Sequence, residues 1–469
     1  MTDERRAPLD PVDVALVGVV LLEFLLWTHY PRPSPSQVLN TLIGPAPSEV
    51  VRGVSRYALL LRGVANVAAL ALAASVLAPS RWSRALRYPA LAALAVTLVI
   101  VPVAGEVALR RAEEARLDRG EITTLQAHDG MIQAEVAADL LRAGNNPYTA
   151  DYTPTLMGRS GYGPGFFTAL GYRRNPALAH LPYPPAFVGL VAATRVVFGR
   201  YDLRWLTLAF ALALAATAAY GRSPGRRALT ATAVLLSPLT DLPLVSGLND
   251  TVHLLPVALG AVALRRNKLR AAAFAWGCAA ALKQLDAVLL PALLALAWNR
   301  SDRRERARLL ALALGPAALT LLPFALWDFR ALVEDLVLFH AGRGPEPYPI
   351  HPRSSSAGVL SLGLDLVRRV SEPDPLGPLW LLVALGCHAV VLRGALRAPD
   401  PRLALRGLAL ASFATFAASR SFALNYAALP AALLYFGSLP PEASTDNGAT
   451  RRSSPVLNRR EAVESSRGA

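Results

Sequence analysis

The sequence is punctuated by runs of Leu, Ala and Val that approach the length of a bilayer crossing. They fall near 12–29, 57–78, 88–109, 183–199, 205–220, 228–247, 251–264, 271–282, 285–298, 308–327, 378–396, 403–418 and 422–438. A helix needs about 20 apolar residues to cross the hydrocarbon. In lipid every backbone N–H and C=O must find its partner inside a helix or a closed barrel. None of these runs alternates with the period of a barrel strand, so the pattern predicts helices. The expectation is an all-α polytopic membrane protein. Charged residues make up only 17% of the chain, against about 25% in soluble domains.

The net charge of +15 first suggests a polyanionic partner. Its distribution argues otherwise, because the basic residues cluster in short connections between apolar runs: "SRWSRALR", "GRSPGRR", "RRNKLR" and "NRSDRRERAR". Cytoplasmic loops look like this under the positive-inside rule, with anionic membrane lipids as the neighbouring charge. No nucleic-acid partner is needed. Almost all the positive charge is Arg, with Lys268 and Lys283 the two lysines. That bias fits a GC-rich coding sequence of the actinobacterial sort. Cys278 and Cys387 lie inside apolar runs and read as small hydrophobes rather than a disulfide. The run 12–29 lacks a clear small-residue cleavage site and is read as a retained span.

The basic loops set an expected orientation. Residues 1–11 form a cytoplasmic N-terminus, 12–438 the membrane domain and 439–469 a disordered cytoplasmic tail. Long outer loops cover 110–182 and 328–377. Placing "GRSPGRR" inside requires 183–199, which contains Arg195, to be a partial or interfacial helix. That leaves about twelve true spans. Loops this long are usually functional, and they are the stretches richest in His, Tyr, Asn and Pro. Chemistry is therefore expected on the outer, extracytoplasmic face of a multi-pass cell-membrane protein.

One polar island stands out, "TLQAHDGMIQAEVAADLLRAGNNPYTADY" at 124–152. Met131, Ile132, Val136, Leu140 and Leu141 predict an amphipathic helix within 121–143, lying at the membrane surface and ended by Gly144. Asp129 falls near its N-terminus, where a carboxylate complements the macrodipole. As a bare sequence feature it is equally a helix cap.

The order of the motifs carries a resemblance. An outer His-Asp-Gly is followed by "LLRAGNNPYTADY", then "YPP" at 183–185, then "GLND", then "AAALKQLDAVLLPALLALA". This order resembles the type C membrane glycosyltransferases that use polyprenyl-phosphate sugars, among them actinobacterial α-mannosyltransferases. The likeness runs from about 121 to 300. The chain differs in carrying three apolar runs ahead of the acidic loop, where such proteins usually have one.

The resemblance implies a polyprenyl-phosphate-linked sugar donor, a glycan or glycolipid acceptor, inversion at the anomeric carbon, and no metal or other cofactor. Asp129 becomes the candidate catalytic base, worth roughly 10²–10⁴ in rate. Lys283 and Arg420 are candidates for the donor phosphate; a Lys283–Asp286 ion pair and a snorkelling Arg420 are the competing readings. His128, Asn249, Gln284 and Tyr426 are candidates for substrate binding. Tyr148 and Tyr183 are candidates to stack on a sugar, although tyrosine is also enriched at membrane interfaces without any catalytic reason. His340, Tyr348, His351 and Arg353 mark the second outer loop, either closing over the acceptor or forming surface. Two other classes compete with transfer of a hexosyl or pentosyl unit, mannose first: a secondary transporter or lipid-linked glycan flippase, and an envelope glycan polymerase or ligase.

Overall fold

The computed structural model describes residues 17–18, 64–72, 81–125, 127–170, 172–222, 224–298, 301–341, 377–397, 400–418 and 424–439. Arg420, Tyr348, His351 and Arg353 lie outside these residues. The chain divides into Met1–Ser438 and Leu439–Ala469, and the following concerns the first of these units. Among the described residues every regular element is helical.

Helix α1 (Arg81–Ala95) runs through a π-helical turn, Val96–Ile100, into α2 (Val101–Asp118). The wider turn ends two residues before Pro102, whose ring would clash with a carbonyl four residues back in a regular α register. Residues 110–118, expected in the outer loop, continue α2. Helix α3 (Asp129–Arg142) starts eight residues later than the amphipathic pattern suggested. It ends in a Schellman motif at Gly144, with Asn145 N donating to Leu140 O and Gly144 N to Leu141 O.

Next come α4 (Pro185–Phe198), α5 (Arg204–Ala219), α6 (Pro224–Leu235) and α7 (Pro238–Ser246). The break between the last two bends the pair by 57°, with Ser237 capping the second. Helices α8 (Asp250–Arg265) and α9 (Leu269–Leu282) form a hairpin, followed by a 3-10 turn, Gln284–Leu289, and α10 (Leu290–Trp298). Helix α11 (Arg303–Val333) breaks at Asp328, with φ −157° and ψ 96°, where the apolar run 308–327 ends. The Asp328 carboxylate accepts from Ala331 N at 2.9 Å and so caps the restart. A π turn, Glu334–Leu338, extends the helix into the region expected as the second outer loop. Helices α12 (Gly377–Arg397), α13 (Pro401–Ala418) and α14 (Ala428–Ser438) complete the unit.

Two helical stretches are long and apolar enough to cross a membrane alone, Leu86–Asp118 and Arg303–Leu338. A third arises if the bent pair Arg226–Leu235 and Leu239–Ser246 is one span. Other apolar helices, such as Pro185–Phe198 and Leu269–Leu282, have 10–17 residues. Hydropathy alone counts such segments as spans, so the expected dozen exceeds what helix length supports among the described residues.

Among the described residues, two apolar cores organise the packing. One joins α1 and the following π turn to α5 and α6 through Leu91, Leu94, Leu208 and Leu229. The other gathers Met131 and Ile132 of α3, Phe187 and Val188 of α4, and Phe324 of α11. Helix α3 is thus buried among the other helices and their connections, with Gln133 and Glu135 inside along with its apolar residues, rather than lying half-buried on a flat surface.

Candidate active site

The first turn of α3 is built by three consecutive residues. His128 is the N-cap, with extended backbone. Its Nδ1 lies 2.7 Å from Asp129 Oδ1. Gly130 N lies 2.7 Å from the same carboxylate oxygen and 3.1 Å from His128 Nδ1. One proton arrangement satisfies this triangle: Nδ1–H donates to Asp129, and Gly130 N–H donates there too. Among the described residues, His128 is the one side chain that pairs with Asp129. Burial opposes charge on both groups, and each offsets that burial in the other. The imidazole is pushed above its ordinary value by the carboxylate, and the carboxyl is held below its own by His128 and by the Gly130 amide. The Asp129 side chain remains 29% exposed.

Gly130 lets a second motif approach. A Cβ there would overlap the Tyr183 hydroxyl, so the "YPP" tyrosine reaches the Asp129 corner only because residue 130 has no side chain. The loop carrying Tyr183 is fixed from several elements. Tyr148 Oη donates to Tyr183 O at 2.7 Å, and Gln284 Nε2 donates to Pro182 O at 3.3 Å. Asp335, at the end of the α11 stretch, accepts from Leu181 N at 2.8 Å and lies 2.7 Å from His180 Nδ1. Gln133 of α3 donates to the carbonyls of Ala177 and His180 at 2.7 and 2.6 Å.

The "GLND" turn comes in from another side. Gly247 has φ +80°, and a Cβ there would overlap the Met131 sulfur; the left-handed backbone and the missing side chain together bring the turn onto α3. His128 N donates to Ser246 O at 3.4 Å. The turn leads into a buried polar chain. Lys283 Nζ pairs with Asp250 Oδ1, His253 Nε2 lies 3.7 Å from that oxygen, and His253 Nδ1 lies 2.7 Å from Asp286 Oδ2. The Lys283 ammonium also sits 5.4 Å from the centre of the Tyr426 ring. The sequence suggested Asp286 as the partner of Lys283. The structure pairs it with Asp250, because the α8–α9 hairpin sets the start of one helix beside the end of the other.

Beneath the site, α3 is held by a buried charge network. Arg110 of α2 grips Glu135, with Nη1–Oε1 at 3.0 Å, and reaches Asp202 Oδ2 at 3.2 Å. Arg195 of α4 lies 3.3 Å from Glu135 Oε2 and 2.6 Å from Asp139 Oδ2. Leu203 N donates to Glu135 Oε1 at 2.8 Å. Arg204 bonds to Asp202 at 3.1 Å and to Val245 O at 2.8 Å. Arg195 is only 1% exposed, so it closes an internal contact.

The fold therefore brings His128, Asp129, Tyr183, Lys283, Gln284 and Tyr426 around one region through the contacts just given. Asn249, the N-cap position of α8, makes no capping bond with its side chain. Tyr148 is buried, with its ring packed edge-on against Phe324 at 5.4 Å; its contacts hold the Tyr183 loop. His253, Asp335, Arg110 and Arg204 were not singled out from sequence, and Arg195 was noted only as a charge inside an apolar run. Glu135 had a signal, as a carboxylate on an otherwise apolar stretch of helix. His253 had one too, three residues after Asp250 and thus on the same helix face.

A membrane protein, helical throughout its described residues, with a partly open carboxylate at a helix N-terminus and a separate buried lysine pair fits an enzyme acting on a polar group at a lipid boundary. The family model for glycosyltransferase family 87 matches residues 175–424, more than half of the chain. The protein belongs to glycosyltransferase family 87 and is a membrane glycosyltransferase. Tyr183, Asn249, Lys283 and Gln284 lie within the matched segment, His128, Asp129 and Tyr148 precede it, and Tyr426 follows it. No curated protein and no solved structure matches the chain.

Proposed function

We propose that the protein transfers a hexosyl or pentosyl unit, mannose first, from a polyprenyl monophosphate to a glycan or glycolipid acceptor. The reaction takes place on the outer face of a multi-pass cell-membrane protein, with Asp129 as general base. The observation that carries this reading is a partly exposed carboxylate, kept ionised by its neighbours at a helix N-terminus, in a chain of a glycosyltransferase family.

In this mechanism the acceptor oxygen attacks the anomeric carbon as its proton passes to Asp129. The bond from that carbon to the phosphate oxygen breaks, and its electron pair leaves with the polyprenyl phosphate. Attack opposite the leaving group inverts the configuration. The phosphate departs as a stable anion, so no acid partner is needed, unlike the paired carboxylates of glycoside hydrolysis. His128 holds one oxygen of Asp129 and keeps the base ionised. The accompanying fall in basicity favours proton transfer late in the attack. Lys283 supplies charge for the phosphate: an ammonium has three donors, and Asp250 engages one of them. Arg420 is proposed for the same role. Tyr183, Asn249, Gln284 and Tyr426 are proposed to contact the sugar or acceptor, with Tyr148 positioning Tyr183.

The test is incubation of purified protein with radiolabelled polyprenyl-phosphate mannose and a simple mannoside, followed by assignment of the new anomeric centre. Inverted product is expected. No transfer from any of a panel of polyprenyl-phosphate hexoses and pentoses, or a product of retained configuration, contradicts the proposal.

A further inference from the structure

At the opposite end of the Arg303–Leu338 stretch from Asp335 lies a cavity of about 400 Å³ between α10 and the start of α11. That size suits a small-molecule or lipid site. Leu294, Leu309 and Leu310 line it together with Trp298, Arg303 and Arg306. The stretch is long and apolar enough to cross a bilayer, and Asp335 near its far end holds the loop that carries Tyr183.

Its wall is divided by chemistry. Leu310 and Leu314, one helical turn apart on α11, are both exposed and continue the apolar wall along the helix. At the other edge the Arg306 guanidinium sits 4.5 Å from the centre of the Trp298 ring. Its Nε is buried without a hydrogen-bond partner. The nearby carboxylates are committed elsewhere: Glu305 binds Arg270 at 2.7 and 2.8 Å, and Asp302 caps α11 by accepting from Glu305 N at 2.7 Å. Neither Arg303 nor Arg306 has a carboxylate partner among the described residues.

We propose that this cavity binds one anionic phospholipid, its phosphate on Arg303 and Arg306 and one acyl chain along Leu309, Leu310 and Leu314. Charge complementarity selects this occupant: two unpaired guanidiniums flank an apolar groove in a membrane protein, and an interfacial tryptophan marks the headgroup level. Each arginine near a phospholipid headgroup contributes about 1 kcal/mol.

The test is native mass spectrometry of delipidated full-length protein titrated separately with phosphatidylglycerol, phosphatidylcholine and inorganic phosphate. Phosphatidylglycerol is expected to bind roughly ten- to thirtyfold tighter than phosphatidylcholine. The double variant Arg303→Gln, Arg306→Gln is expected to abolish that preference, and Arg306→Lys to retain most of it. An unchanged melting temperature in each variant keeps misfolding out of the comparison. Equal affinity of the wild type for both lipids overturns the proposal, as does a preference that survives the double variant. Arginine-dependent binding of inorganic phosphate alone, matching that of the lipid, overturns the lipid assignment.

Discussion

Asp129 and Glu135 are carboxylates on the same helix, six residues apart, and their surroundings are opposite. Glu135 is clamped by Arg110, by Arg195 and by the backbone amide of Leu203, and its side chain is 6% exposed. Asp129 has one side-chain partner, His128, and stands open to solvent on one side. A carboxylate enclosed by donors is poorly placed to accept a substrate proton. One that is held ionised but left partly uncovered is well placed to do so. The comparison separates the residue that fixes α3 from the residue that α3 presents.

Substitutions at the two positions should therefore fail in different ways. The largest effect is expected from Asp129→Asn, which should lower sugar transfer by roughly 10²–10⁴ with little change in thermal unfolding; a half-exposed pair contributes little stability. Glu135→Ala should do the reverse. It leaves Arg110 and Arg195 short of a buried partner and is expected to cost about 3–5 kcal/mol, read as a large drop in unfolding temperature in detergent. If Glu135→Ala melted normally yet lost all transfer, the division of labour between the two carboxylates would be wrong.

Smaller effects sharpen the contrast. Gly130→Ala would drive the Tyr183 hydroxyl out of the Asp129 corner. A shift of about 1 Å at a reacting site can lower the rate by up to ~10²-fold, so kcat should fall while the fold persists. Lys283→Gln should act chiefly on donor KM, by roughly tenfold or more, the loss of one hydrogen bond to a charged group.

The subtlest change is in pH. Asp129 titrates below its ordinary value, so the ionised base persists down to that depressed pKa and activity falls only as pH drops through it. His128→Gln removes the main opposition to burial and lets the Asp129 pKa rise. The acid limb of the rate profile should then move to higher pH. An unmoved limb would mean that His128 does not tune the base.

The sequence made the helical segments legible because crossing lipid demands long apolar runs. It marked where apolar character stops, at residue 327, but not that the helix resumes after the break at Asp328. The island at 124–152 was legible for the same reason, as polarity without a local explanation. Helix length was less so: the pattern placed the helix anywhere within 121–143, and it begins at Asp129, immediately after the extended backbone of His128. Pairings across the fold were hidden as well. Glu135 finds arginines 25 and 60 residues away, and Lys283 finds Asp250 rather than the neighbouring Asp286. Local spacing carries no information about such partners. The hairpin and the helix contacts that create them appear only in three dimensions.

The most direct test of Asp129 as the proton acceptor is chemical rescue. Asp129→Ala, reconstituted with polyprenyl-phosphate mannose and a mannoside acceptor, should be nearly inactive and should regain transfer as formate is added. The same formate should do nothing for Glu135→Ala. Asp129→Ala protein as active as wild type without formate would contradict the account.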